Sequence, residues 1–314
     1  MSLKTIFFGS SSFSLPFLQC CREQTEVCHV VTLPDTMKNR GKKLIPNIVK
    51  ETSLQSKLSI LTPSSLLDPT FLDTLTKSQV TLFVTASYGK ILPKRLLNIP
   101  FLFSVNIHPS LLPNYRGADP LFWQIVHQVE QTGVSIFQMQ PSLDNGPILK
   151  QKAFPLLPSD TYSSLEQKTI QWGVQLLTEL LDDIKNKRSL SSIEQPPQTP
   201  FYARKRTSAD EQIHWNSKAK DILALIRAFP PEIGAFTCFG DKRIKILQAS
   251  PGSIALPPDF FPGQIFIQNK RVYVACQDSP IQIQTVKVEG KSIMSDKDFL
   301  NGYLLKTTQP FFHD

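Results

Sequence analysis

The chain has 314 residues, 41% of them hydrophobic and 19% charged, with a formal net charge of +8. That is enough apolar material for real cores and a length that suits two domains; it excludes fibrous and disordered classes, while the excess of base leaves a polyanion open as a partner. Five cysteines (20, 21, 28, 238 and 276), odd in number and without a CxxC pair, exclude a disulfide framework and a zinc site, so reduced thiols and no metal are expected.

Taken in order, Thr5–Phe8 reads as a buried first strand, Gly9 as the turn after it, and Phe13, Phe17, Cys20 and Cys21 as the apolar face of a helix. Strand, tight turn, helix opens a doubly wound sheet, but GxGxxG and the P-loop are both absent. The early apolar run is interrupted by Gly9–Ser12, and no run reaches the length of a membrane span, so a cytoplasmic location is expected. Residues 27–33 form a second strand. It empties into a loop where Lys38, Arg40, Lys42 and Lys43 place four cations in six residues around Gly41, a candidate phosphate-contacting finger or a solvated basic loop.

Residues 80–86 read as another buried strand, followed by Ser87–Pro93. The apolar run 101–105 leads into Asn106 and His108, two positions apart and therefore on one face of a strand end, where ligands bind on open α/β sheets. Pro109 and Pro113 stop the strand and stiffen its loop. Asp119 and Pro120 mark a helix start, 134–139 alternates as a strand, and 148–154 returns as its hairpin partner. Residues 159–185 carry one long helical stripe. A stretch rich in Ser, Gln and Pro follows, read as an interdomain linker over 188–205, so that the domains expected are 1–187 and 206–314. Arg204, Lys205 and Arg206 form a second basic cluster, 218–229 a helix, and the remainder short antiparallel strands. In 281–288 the apolar set changes face after Ile283, which predicts a bulge and a strongly curved sheet, consistent with a small barrel of the oligonucleotide-binding type.

Asp144, on a glycine-containing turn, completes a constellation. A carboxylate beside His108 would orient the ring and favour its protonated form, and the Asn106 amide could stabilise an oxyanion. With no serine or cysteine nucleophile evident, this chemistry suits acyl transfer directly to an amine. The alternative is that all three residues only satisfy nearby backbone.

The segments Asn106–His108, Ser110–Pro113, Tyr115–Gly117, Thr132–Val134 and Leu143–Asp144 resemble the folate-dependent formyltransferases. Arg40–Leu44, Tyr88–Pro93, Tyr202–Ala203 and Ile213–Trp215 bring the likeness closest to the members acting on methionyl-tRNA, over about residues 4 to 305. The resemblance implies an α/β, mostly parallel, doubly wound catalytic domain followed by an OB-like β-barrel. It implies an enzyme passing a formyl group from 10-formyltetrahydrofolate to the amine of initiator methionyl-tRNA, as a monomer. Asn106, His108 and Asp144 would be catalytic; Ser110, Leu111, Leu112, Pro113, Tyr88, Gly89 and Ile91 would contact folate. Lys38, Arg40, Lys42, Lys43, Arg204, Lys205 and Arg206 would contact tRNA. An amino sugar nucleotide as acceptor, or a tRNA-binding protein without catalysis, are the other readings. The chain departs from the family's usual turns at Ser10–Ser12, and at Asn145 and Pro147.

Overall fold

The computed structural model describes residues 3–38, 43–198, 201–304 and 312–313, with 36–38 and 43–45 described through the backbone alone. Two units emerge. The first comprises Met1–Pro120, Gln131–Pro155 and Glu166–Ala203; the second comprises Leu121–Glu130, Leu156–Leu165 and Arg204–Asp314.

In the first unit β1 (Lys4–Gly9) leads through a turn into α1 (Leu15–Gln24), whose Pro16 sits in the first turn where no intrahelical donor is needed. Next come β2 (Glu26–Val31), the short pair β3 (Thr36–Lys38) and β4 (Lys43–Ile45), then α2 (Ile48–Gln55), β5 (Ile60–Leu61) and α3 (Pro69–Lys77). Asn47 accepts from the backbone of Val49 and Lys50, and Asp68 from that of Phe71, so both helices start on side-chain caps. The chain continues through β6 (Leu82–Ala86), α4 (Lys94–Leu97), β7 (Phe103–His108), β8 (Arg116–Gly117), α5 (Pro120–Val126), which after Pro120 belongs to the second unit, β9 (Gln131–Gln138), β10 (Ile148–Pro155), α6 (Tyr162–Lys185), whose first turn also belongs to the second unit, and β11 (Tyr202–Ala203).

Seven strands make one sheet in the order β10-β9-β7-β6-β1-β2-β5. From β5 to β7 neighbours are parallel, whereas β9 runs against β7 and β10 against β9. The two directions of winding part between β1 and β6, the place where open sheets leave a crevice at the strand ends. Each face is buried by alternation. Phe7, Val84, Val105 and Ile107 pack with Phe17, Leu177 and Leu181 on one side; Ile6, Phe8 and Phe83 pack with Phe71, Leu75 and Leu96 on the other.

The second unit holds α7 (Ala219–Arg227) and a sheet of β12 (Ala235–Phe239), β13 (Lys242–Pro251), β14 (Ile265–Gln268), β15 (Arg271–Ala275), β16 (Pro280–Val288) and β17 (Ile293–Ser295), followed by α8 (Asp296–Gly302). The order is β12-β13-β16-β15-β14, antiparallel throughout, with β17 added to β16. Asn269 and Lys270, with φ of 53° and 59°, close the β14–β15 hairpin as a two-residue turn. The expected bulge is present. Gln248 faces Thr285 and Ala249 faces Ile283, which leaves Gln284 extra on β16; Leu247 is extra on β13. Both Ile283 and Val286 thereby reach the core despite odd spacing. Between the outer strands His313 exchanges backbone bonds with Cys238, and Phe312 donates to Gly263. No helix among the described residues is long and apolar enough to cross a membrane.

Candidate active site

Strand β7 pairs Asn106 with Thr85 on β6 and His108 with Ser135 on β9. Its alternate residues Val105 and Ile107 are locked into the core, so Asn106 and His108 share the opposite face, as the spacing predicts. His108 is 3% exposed. Its Nε2 lies 2.8 Å from the Tyr115 carbonyl oxygen and its Nδ1 lies 3.7 Å from Asp144 Oδ2. A carbonyl only accepts, so Nε2 carries the proton, and in the neutral ring Nδ1 is the free lone pair. The Asp144 carboxylate is pinned independently, because Gly117 N donates to its Oδ2 at 2.9 Å. Thus the fold brings Asn106, His108 and Asp144 into one constellation, although 36 residues of sequence separate the last two.

The loop between β7 and α5 is built to aim these groups. Tyr115 and Asp144 adopt left-handed φ of 61° and 49°, and Gly117 a φ of 124°. A Cβ on Gly117 would stand 2.4 Å from the Ala203 carbonyl oxygen, so only glycine allows β8 to lie along β11. Arg116 is buried and points away from solvent. It gives Nε and Nη2 to Gln195 Oε1 at 3.0 and 2.9 Å, and its other bonds to the carbonyls of Pro196 and Pro197. Burial pushes the guanidinium down from its ordinary range while the Asp144 charge pulls it back up. Gln195 in turn donates to the carbonyls of Asp144 (3.1 Å) and Gly146 (2.6 Å). The proline-rich stretch read as a linker therefore has its own attachments to the first unit: Ile193 exchanges two backbone bonds with Ile148, and Tyr115 N donates to the Phe201 carbonyl. Nothing in the residue types of 193–197 announces this role.

Of the residues the resemblance assigned to folate, Ser110 and Leu112 are turned inward. Ser110 Oγ donates to the Asn114 carbonyl and its own carbonyl accepts from Ser135 Oγ; the Leu112 side chain packs with Phe137 and Ile148. Leu112 N donates to Ser135, and Gln151 Nε2 reaches both Ser135 Oγ and the Leu112 carbonyl. The reason is geometric: the loop runs beside β9 and β10, where Ser135 and Gln151 supply these polar partners. Leu111 is half-buried and lies against Gly133, where an added Cβ would stand 2.4 Å from it. Tyr88 is buried against Phe8, its hydroxyl pushed up to about 12 by burial, whereas Ile91 is exposed and Gly89 turns at φ 85°. A cavity of about 400 Å³ opens at the amino end of β7, lined by Lys94, Leu97, Ser104, Gln138, Met139 and Gln140 among others. Ser104 lies on the same face of β7 as Asn106, and the buried hydroxyls of Thr85 and Tyr88 and Asn145 Oδ1 have no hydrogen-bond partner among the described residues.

The basic residues divide. Arg40 and Lys42 lie outside the described residues, as do the side chains of Lys38 and Lys43, whose backbones pair across β3 and β4. Arg204 forms a two-bond fork with Asp210 at 2.6 Å and stacks over Trp123; Arg206 lies against the mutually packed rings of Phe122 and Phe229, 5.3 and 5.2 Å from their centroids, with Glu211 beside it. The Arg204 bonds hold the Asp210 carboxyl well below its usual range. Lys205 is exposed. No cluster of His, Cys, Asp and Glu able to hold a metal occurs among the described residues.

Comparison with known proteins identifies the family. The family model described as formyl transferase matches residues 3–181, and that of the formyl transferase C-terminal domain matches 205–304. Methionyl-tRNA formyltransferase of Dictyoglomus thermophilum is 33% identical over 98% of this chain and 100% of its own length. That of Dehalococcoides mccartyi is 36% identical over 96% of each. A crystal structure of HypX from Aquifex aeolicus in complex with tetrahydrofolic acid matches 97% of this chain and 48% of that one with a TM-score of 0.65 at 14% identity, a likeness of fold. On the strength of the two domain matches and of relatives aligned from end to end, the chain belongs to the methionyl-tRNA formyltransferase family.

Proposed function

We propose that the protein transfers the formyl group of 10-formyltetrahydrofolate to the free amine of methionyl-initiator tRNA, for translation initiation, and that it acts as a cytoplasmic monomer. The relatives' shared name supplies the acceptor. The observation that carries the chemistry is the fixed line Tyr115 carbonyl, His108, Asp144, Gly117 N, set beside Asn106 on one strand face.

The amine attacks the formyl carbon and a C–N bond forms, which puts negative charge on the formyl oxygen. Asn106 donates its amide N–H to that oxygen. The proton released by the amine goes to His108 Nδ1, since Nε2–H is already given to Tyr115. The Asp144 carboxylate, 3.7 Å away, stabilises the imidazolium. Collapse breaks the bond between the carbon and folate N10, and the proton passes on to N10, which leaves as tetrahydrofolate. Thr85, paired with Asn106 across the sheet, and Tyr88 just beyond it carry unpartnered hydroxyls that offer donors and acceptors to the folate ring. Tyr88, Gly89 and Ile91 lie in the loop after β6, while Ser110–Pro113 hold the shape of the loop after β7. Lys38, Arg40, Lys42, Lys43 and Lys205 contact the tRNA backbone, and Arg204 and Arg206 shape the surface around Lys205.

Formyl transfer to methionine-charged initiator tRNA, measured for wild type and His108→Ala side by side, tests the proposal. Turnover in the wild type and a loss of at least about 100-fold in the variant are expected. A wild type that binds folate and tRNA but does not turn over would overturn the assignment of this acceptor.

A further inference from the structure

We propose that Gln195 is a positioning residue for the Asp144 carboxylate, so that the segment after the long helix α6 is part of the catalytic apparatus. This rests on the reading of Asp144 and His108 given above.

The orientation of the Gln195 amide is fixed by its neighbours. Arg116 can only donate, and two of its N–H groups meet one oxygen, so Oε1 faces the guanidinium. Nε2 then faces two groups that can only accept, the carbonyls of Asp144 and Gly146. Both of its hydrogens are spent, one on each side of Asn145. Reversing the amide would set an oxygen against two carbonyls and an N–H₂ against a guanidinium, so a single state survives.

These two carbonyls bracket the turn that carries the carboxylate. That turn must be held in place, because Asp144 is in the strained left-handed region and Gly146 approaches the Gln138 carbonyl oxygen so closely that a Cβ would collide with it. Gln195 thus sets where the Asp144 main chain stands. The same segment sets where its carboxylate ends. Gly117 N, the donor to Oδ2, belongs to β8, which pairs with β11 eight residues after Gln195. Ile193, bonded twice to Ile148, anchors the stretch two residues before it. A gap of 3.7 Å between Asp144 and Nδ1 is sensitive to any tilt of that turn, and a misplacement of about 1 Å can cost on the order of 100-fold in rate.

The rival account is that Gln195 merely satisfies the buried Arg116. Two substitutions separate the accounts. Gln195→Glu keeps an oxygen pair for Arg116 and loses both donors; Gln195→Met keeps length and neutrality and likewise loses both donors. With Asp144→Asn assayed in parallel, we expect kcat to fall on the order of 10- to 100-fold in both Gln195 variants. KM for folate and tRNA should stay within about 2-fold, since a lost transition-state interaction lowers kcat and kcat/KM together. Wild-type kcat in Gln195→Glu would overturn the positioning role. So would a loss in Gln195→Glu that is absent in Gln195→Met, which would be a charge effect. A rise in KM at unchanged kcat would also overturn it. Wild-type kcat in Asp144→Asn would instead overturn the reading of the site itself.

Discussion

Arg116 and Arg206 both keep a guanidinium out of bulk water, and they do so by opposite means. Arg116 is 4% exposed and speaks only to oxygen: one amide and two proline carbonyls. The Arg206 guanidinium lies against two mutually packed phenyl rings, with the Glu211 carboxylate 3.6 Å away. The first arrangement is directional, since each N–H must meet a lone pair, and it therefore fixes the position of what it touches. The second is adhesive, since a ring face attracts a cation over a broad area. A count of basic residues treats the two alike. Position in the fold makes one a precise brace in the candidate site and the other a staple of a hydrophobic cluster.

The sharpest way to break this contrast is Arg116→Ala. It strands Gln195 Oε1 and two carbonyls in the interior, so a loss of about 3 kcal/mol in denaturant unfolding is expected, with formyl transfer falling alongside. Stability within experimental error of wild type would show that these bonds fix nothing. A smaller effect should follow Arg206→Ala, about 1–2 kcal/mol for two ring contacts, with kcat unchanged. Its exposed neighbour should behave in reverse: Lys205→Gln should leave unfolding alone while weakening tRNA binding and reducing the slope of log affinity against log salt by about 1. If Arg206 shifts the salt slope and Lys205 does not, the division of the cluster is wrong.

The smallest expected effect concerns His29, whose ring bridges Ser59 and Ser78 at 2.8 and 3.0 Å. Burial lowers its pKa, so the unfolded chain takes up the proton first as pH falls. Its contribution is therefore complete above the unfolded value of about 6.5 and is lost below it, down to the lowered folded value. Unfolding free energy in His29→Gln should show a shallower decline with acidification through that window than wild type; identical slopes would exclude the histidine as a source.

Much of the first unit was legible because periodicity and punctuation agreed there. Asn106 and His108 share a face for no deeper reason than the two-residue repeat of a strand, and Pro120 opens α5 where it was expected to. The bulge at Gln284, beside Ile283, was likewise visible, as an apolar pattern out of phase. Between residues 47 and 79 two helices start on Asn47 and Asp68, caps that a search for start signals could have found. Other features were not accessible. Ser110 and Leu112 looked like ligand contacts because they sit in a distinctive motif, yet their partners Ser135 and Gln151 lie on other strands, and only tertiary structure introduces them. Gln195 was hidden for the same reason: a glutamine before two prolines reads as a tether, and its four bonds all cross at least 49 residues of sequence.

That separation has a consequence for how the site comes into being. The seven-stranded sheet is complete in sequence by Pro155 and its long covering helix by Lys185, but the bonds that hold Asp144 in register wait for Gln195 and Ala203. During synthesis the scaffold can therefore form before its chemistry is set, and a fragment ending at the last turn of α6 would retain every strand of that sheet while leaving the carboxylate turn unfastened. In this chain the boundary of the folded sheet and the boundary of the working site fall at different residues, so a dissection guided by secondary structure would separate an enzyme from its own last adjustment.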